Sequence, residues 1–212
     1  MPEIVFDILG WVVYGVLAVI ALWGALCVVI VWRRVTQTRF RNEDQQEDFL
    51  DSLAVHLDQG DYERAAELCS DDRRAMPQLA LFAIENRDMG YEKVRHRVAE
   101  RFQQDVLADI EHRLSWVATV IKSAPMIGLL GTVMGMMGAF VNLSSGEKVD
   151  TSRMAEDIGF ALVTTACGLA IAIPLVLSTA SINIRIRKME NLVGLGLNHL
   201  FESLRSAMKR GK

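Results

Sequence analysis

The chain has 212 residues, 51% hydrophobic and 23% charged, with a formal net charge of −3. So small a net charge gives no electrostatic footprint for nucleic acid, and no CxxC, HExxH, GxGxxG or GK[ST] pattern offers a start for metal, dinucleotide or phosphate chemistry. The apolar residues are bunched into three long runs separated by polar stretches, a segregation that excludes an ordinary soluble domain. It predicts an all-α integral membrane protein with three transmembrane helices and long cytoplasmic helical extensions.

The first run, residues 9–32, carries no charge. At about 1.5 Å rise per residue it reaches roughly 36 Å, enough to cross a bilayer core with some tilt. Trp11 and Tyr14 near one end and Trp32 at the other sit where an aromatic belt places them. A cleaved signal peptide is not expected: the run is too long, no Lys or Arg precedes it, and no small-residue cleavage site follows. Residues 1–33 are therefore read as a short outer N-terminus and the first span.

Residues 34–115 read as a cytoplasmic helical domain. Gly60 separates two short helical stretches, 50–59 and 61–70, which predicts a hairpin, and Pro77 marks a further helix boundary. From Tyr91 there is no Gly or Pro until Pro125, and Val94, Val98, Phe102, Val106, Ile110 and Leu114 recur every fourth residue. That spacing predicts one long helix running from the cytoplasm into the membrane. The second span is expected over 116–142, with Lys122 close enough to its cytoplasmic end to snorkel. A periplasmic loop over 143–157 leads to a third span over 158–184 and a C-terminal cytoplasmic helix over 185–212. In that last helix Ile186, Met189, Leu192, Val193, Leu197, Leu200 and Leu204 form an apolar stripe, for packing on the other long helix or on a neighbouring subunit. Cys27 and Cys167 fall in apolar runs and Cys69 in a polar one, which predicts neither a disulfide framework nor a metal site.

Orientation follows from the 23 Lys and Arg, of which 13 lie in 33–115, 7 in 185–212 and only 2 in 143–157. The positive-inside rule puts the first two segments in the cytoplasm, with the N-terminus and the 143–157 loop outside.

Function is suggested by two stripes. On a helical projection of the second span, Ala124, Pro125, Gly128, Gly131, Thr132, Gly135, Gly138, Ala139 and Asn142 share one face, while Met126, Leu129, Leu130, Val133, Met137, Phe140 and Val141 share the opposite one. Small residues let backbones approach closely, and Gly131-x-x-x-Gly135 is a familiar form of that pattern. The third span repeats the arrangement with Ala161, Thr164, Thr165, Gly168, Ala172, Thr179 and Asn183. The two stripes either face each other or together face a central cavity; the first span shows no such stripe and is expected outside, against lipid. A plain packing seam would account for the glycines and alanines, and a threonine can bond its own helix backbone. The middles of both stripes hold no ionisable residue, whereas proton relays through membranes use one. A titratable group would then have to come from a second membrane subunit.

The segment 124–137 (APMIGLLGTVMGMM) closely resembles the second-span motif of the ExbB/TolQ/MotA proton-channel family, and 161–174 (ALVTTACGLAIAIP) its third-span motif. The three-span layout and the Gly60-Asp61-Tyr62-x-x-Ala hairpin also resemble the ExbB/TolQ branch. This resemblance implies a stator subunit of the bacterial inner membrane, a homo-pentamer around two copies of a single-span ExbD/TolR-like partner whose aspartate picks up and releases protons. It implies an ion-pathway role for Thr132 and Thr165, which match the family's pore-lining threonines. It implies no cofactor beyond the transported proton, with sodium as the alternative. Thr164, Asn142 and Thr179 join the candidate pathway by sharing the stripes; Gly128, Gly131, Gly135, Gly138, Ala161, Gly168 and Ala172 are the candidate packing and partner contacts. One position departs: Phe160 stands where members often carry a glutamate near the outer end of the third span. Asp157, about one turn earlier, is either a substitute or a solvated loop carboxylate. A passive scaffold whose stripes only pack helices is the alternative reading. A solute transporter lacks an inverted repeat and a binding constellation, and an enzyme lacks a site.

Overall fold

The computed structural model describes residues 2–40, 42–144 and 151–210, and every regular element among them is helical. In chain order they are α1 (Pro2–Thr38), α2 (Glu43–Asp58), α3 (Tyr62–Ser70), α4 (Ala75–Glu85), a 3-10 turn (Arg87–Met89), α5 (Tyr91–Arg101), a π-helical segment (Phe102–Leu107), α6 (Ala108–Ser144) and α7 (Thr151–Arg210). Three helical stretches are long and apolar enough to cross a membrane, within Gly10–Thr38, Tyr91–Val141 and Met154–Ala207. The chain divides into two compact units. One holds residues 1–30 and 113–180; the other holds 31–112 and 181–212.

The first unit consists of the three apolar stretches. No hydrophobic force drives helices together in lipid, so close packing of small residues must do it. The faces read from the sequence separate as expected. Ala124, Gly128, Gly131, Gly135, Gly138 and Ala139 are buried, while Met126 and Phe140 on the opposite side are 69% and 68% exposed. The first span is exposed over most of its length. One line of α1 is buried, through Val13, Leu17 and Gly24, while Trp11, Leu22 and Trp23 are exposed. A Cβ on Gly24 would sit 2.8 Å from both Leu175 Cδ1 and Val120 Cγ1, so α1 packs on α6 and α7 through that glycine. This stripe was invisible in a segment apolar on all sides, where periodic contrast disappears.

The second unit is a bundle of short helices on the C-terminal part of α7. Gly60 ends α2: its backbone is left-handed (φ +74°), its N–H donates to Leu57 O at 3.0 Å, and the Asp61 N–H donates to His56 O at 3.0 Å. These are the paired bonds that close a helix C-terminus, and they need a residue without Cβ strain. Asp61 then caps α3, its carboxylate accepting from the Arg64 N–H at 3.2 Å. Pro77 lies in the first turn of α4, where its missing N–H would have had no partner in any case. The expected long helix from Tyr91 is continuous except that its turns widen into the π-helical segment at Phe102–Leu107, which spacing alone did not reveal.

All seven residues of the C-terminal stripe are buried, against helices of this same chain. Phe201 meets Tyr91 of α5 edge-on at 6.1 Å. Gln46 of α2, itself buried, donates from Nε2 to Leu192 O at 2.6 Å. A Cβ on Gly196 would lie 2.7 Å from that Nε2 and 3.1 Å from the Met76 sulfur, so the glycine makes room for the amide. At the ends of this unit's long helices, Arg34 pairs with Asp109 at 3.3 Å and the Arg185 guanidinium lies 4.1 Å from the Trp32 ring centroid.

Two predictions follow from this packing. Gln46→Ala should destabilise the detergent-extracted chain by about 1–2 kcal/mol through a lost buried hydrogen bond and lost volume. Gly196→Ala should be harmful in the wild type yet neutral or stabilising beside Gln46→Ala, since alanine gains about 1 kcal/mol of helix propensity once the amide is gone. Additive effects in a denaturation cycle would contradict the proposed contact. The Cys69 thiol, fully buried, is pushed up from 9.0 to about 12 by burial first and the neighbouring Asp72 charge second. The unfolded chain ionises this thiol first, so stability should fall as pH rises from 9 towards about 12, and a Cys69→Ala variant should lose that part of the alkaline dependence. Unfolding curves at a series of alkaline pH values would measure it.

Candidate functional site between α6 and α7

The two small-residue stripes face each other within a single chain. A Cβ on Gly128 would come 2.8 Å from Thr164 O and 3.0 Å from Thr165 Cα. On Gly131 it would lie 2.7 Å from Thr164 Cβ, in contact with that residue's Oγ1 as well. On Gly135 it would meet Asp157 O at 2.7 Å and Ala161 Cβ at 2.8 Å, and on Gly168 it would meet Ala124 O at 2.6 Å. Real Cβ atoms do not approach backbone so closely. Each of these glycines is therefore a point where the helices touch main chain to main chain or main chain to side chain.

Hydroxyls occupy the middle of this seam. Thr164, with no exposed surface, has its Oγ1 2.8 Å from Ala161 O in its own helix and 3.3 Å from Gly128 O across the seam. Thr165 donates to the same Gly128 carbonyl at 3.0 Å. Thr132, half-buried, donates to Leu129 O at 2.7 Å within α6. The Gly128 carbonyl thus joins both consecutive threonines of α7 to the turn of α6 that precedes Thr132. Small residues on the facing sides let the backbones close in far enough for these bonds.

Other candidates fall elsewhere. Ala172 is buried, and Thr179, half-buried towards the far end of the unit, has an Oγ1 that is buried and unbonded. The side chain of Asn142 lies outside the described residues, and Asn183 is exposed and belongs to the second unit. At one end of the seam, the Asp157 carboxylate lies against Gly138, where a Cβ would meet Oδ2 at 3.3 Å. Phe160, which stands where the resemblance implies a glutamate, turns its ring to α1: it packs edge-on against Tyr14 at 5.3 Å and within 3.1 Å of where a Gly10 Cβ would be. The carboxylate beside the seam is therefore Asp157, and the aromatic at 160 serves the packing of the first span. The Gly10, Tyr14 and Phe160 cluster was not read from sequence; a glycine and a tyrosine four residues apart in an apolar run carry no signal until the facing ring is known.

The seam can hold two backbones at contact distance and present hydroxyl oxygens, but none of its threonines can carry a proton charge by itself. Among the described residues no group of three or more His, Cys, Asp or Glu is arranged to hold a metal ion.

Comparison with known proteins matches the stretch that builds the seam. The model of the MotA/TolQ/ExbB proton channel family matches residues 74–193, more than half of the chain, and includes both facing helices of the seam. Among curated proteins, the putative biopolymer transport protein ExbB-like 2 of Helicobacter pylori is 43% identical over 84 residues, covering 40% of this chain and 54% of its own length. The Tol-Pal system protein TolQ of Haemophilus influenzae is 38% identical over 88 residues, 42% of this chain and 39% of its own length. The biopolymer transport protein ExbB of Aquifex aeolicus is 36% identical over 101 residues, 47% of this chain and 66% of its own length. The chain thus spans about half the length, or less, of the first curated relatives it matches. By the family match and by the seam that its matched segment builds, the chain belongs to the MotA/TolQ/ExbB proton channel family, as a divergent member on the ExbB and TolQ side.

Proposed function

We propose that the chain is the ion-channel or stator subunit of a motor complex in the bacterial inner membrane, coupling proton flow, or sodium flow, to mechanical work on the cell envelope. One observation carries this: a glycine-and-hydroxyl seam fills the middle of two adjacent apolar spans without an ionisable side chain among them. A stripe that serves ions but cannot titrate needs a carboxylate from another polypeptide. A single-span partner like ExbD or TolR, bearing a membrane aspartate, would supply it, with two such chains inside a homo-pentamer of this one. The family match and the ExbB and TolQ relatives support that division of labour. Thr132 and Thr165 are the principal pathway candidates, with Thr164, Thr179 and Asn142 beside them. The bias of basic residues supports a periplasmic N-terminus and a cytoplasmic C-terminus.

The passive-scaffold reading is favoured by a different observation, the donation of Thr164 and Thr165 to a main-chain carbonyl, which is what a packing seam would do. Ion dependence separates the two. In cells that express the chain with its partner, Thr132→Val should reduce gradient-driven work about tenfold, the effect of losing ~1.4 kcal/mol at the rate-limiting step. Assembly, read by native mass spectrometry, should be unchanged. Full activity in that variant, or in cells whose proton and sodium gradients have both been collapsed by ionophores, would leave only the scaffold. Gly131→Leu should abolish assembly on either reading, because overpacking of this kind costs about 1–3 kcal/mol or more and here strikes Thr164 directly; recovery of an intact complex would contradict the seam itself.

A further inference from the structure

The seam's three hydroxyls differ in their hydrogen bonds. A threonine hydroxyl has one proton to donate. Thr132 gives its proton to Leu129 O at 2.7 Å, within α6. Thr164 has the Ala161 carbonyl of its own helix at 2.8 Å, nearer than Gly128 O at 3.3 Å. Thr165 donates across the seam, to Gly128 O at 3.0 Å. This cross-helix bond lies just past a weak point in α6. Pro125 has no N–H to give to the carbonyl one turn before it, so the helix is least braced there. On either side the backbones are already in contact, at Gly128 with Thr164 O and at Gly168 with Ala124 O and Pro125 Cα.

The geometry assigns Thr165 a positioning role: its hydroxyl bolts the third span to the Gly128 carbonyl of the second. The bolt holds the turn of α6 after Pro125 in place, and with it the Thr132 hydroxyl. Thr165 thereby positions Thr132, alongside its own place among the pathway candidates. The assignment deepens the ion-pathway reading and rests on it only for the task of Thr132; the bolt is a property of the chain alone.

The test uses the full-length chain purified in detergent, with thermal melting and amide hydrogen exchange of the peptides covering 121–135. Thr165→Val keeps the shape and removes the donor. It should lower the melting temperature by about 2–4 °C, the shift expected for one lost hydrogen bond in a chain of this size, and speed exchange after Pro125. Thr165→Ser restores the donor and should match wild type in both measurements, which a loss of packing alone would not allow. Thr132→Val should leave melting and exchange at wild-type values. If Thr165→Val fails to accumulate, Thr165→Ala is read in the same way. Wild-type melting and exchange in the variant without the donor would overturn the bolt, as would a serine variant as damaged as the valine one. Neither measurement involves ion movement, so failure of the channel reading would show in the Thr132→Val activity assay and leave this result standing.

Discussion

Two helices in lipid have no hydrophobic reason to prefer each other over acyl chains, so whatever holds α6 to α7 must come from close contact and from polar groups that lipid cannot satisfy. In this chain both come from one strip of residues. Glycines at 128, 131, 135 and 168 bring backbone against neighbouring main chain or side chain, and the Gly128 carbonyl receives the Thr165 hydroxyl from the opposite helix. A side chain larger than hydrogen at any of these glycines would push the helices apart and break the bonds beside it. The placement of Thr132, Ala161 and Asp157 along the same strip depends on that proximity.

The same constraint bears on mechanism. A contact this tight leaves no room for a charged side chain in its middle, and none is present there. Chemistry that needs a titrating group is pushed to the ends of the strip or onto another chain. At one end Asp157 borders Gly138, while Phe160 packs the first span through Tyr14 and Gly10. The aromatic at 160 thus ties α7 to α1.

In the second unit ordinary burial of apolar side chains takes over. The apolar stripe at the end of α7 is covered by short helices whose ends are set by Gly60, Asp61 and Pro77. One polar lock, Gln46 on Leu192 O, sits among these apolar contacts. A buried amide costs free energy unless bonded, so this one fixes the register of α2 on α7 where apolar contacts alone would tolerate sliding.

Much of this was determined by sequence alone: three apolar stretches, their polar and apolar faces, the hairpin at Gly60 and the buried stripe at Ile186–Leu204 all follow from periodicity and punctuation in a single chain. Helical spacing places residues on a face without reference to anything outside the helix, which is why those readings succeed. What faces that face is a different question. Only the tertiary structure decided that the two stripes meet each other within one chain, that Thr165 bonds across the seam while Thr132 bonds within its own helix, that α1 docks through Gly24, and that Phe160 turns to α1 while Asp157 borders α6. Each of these depends on the rotation and depth of one helix against another, a quantity set by contacts distant in sequence and carried by no local pattern.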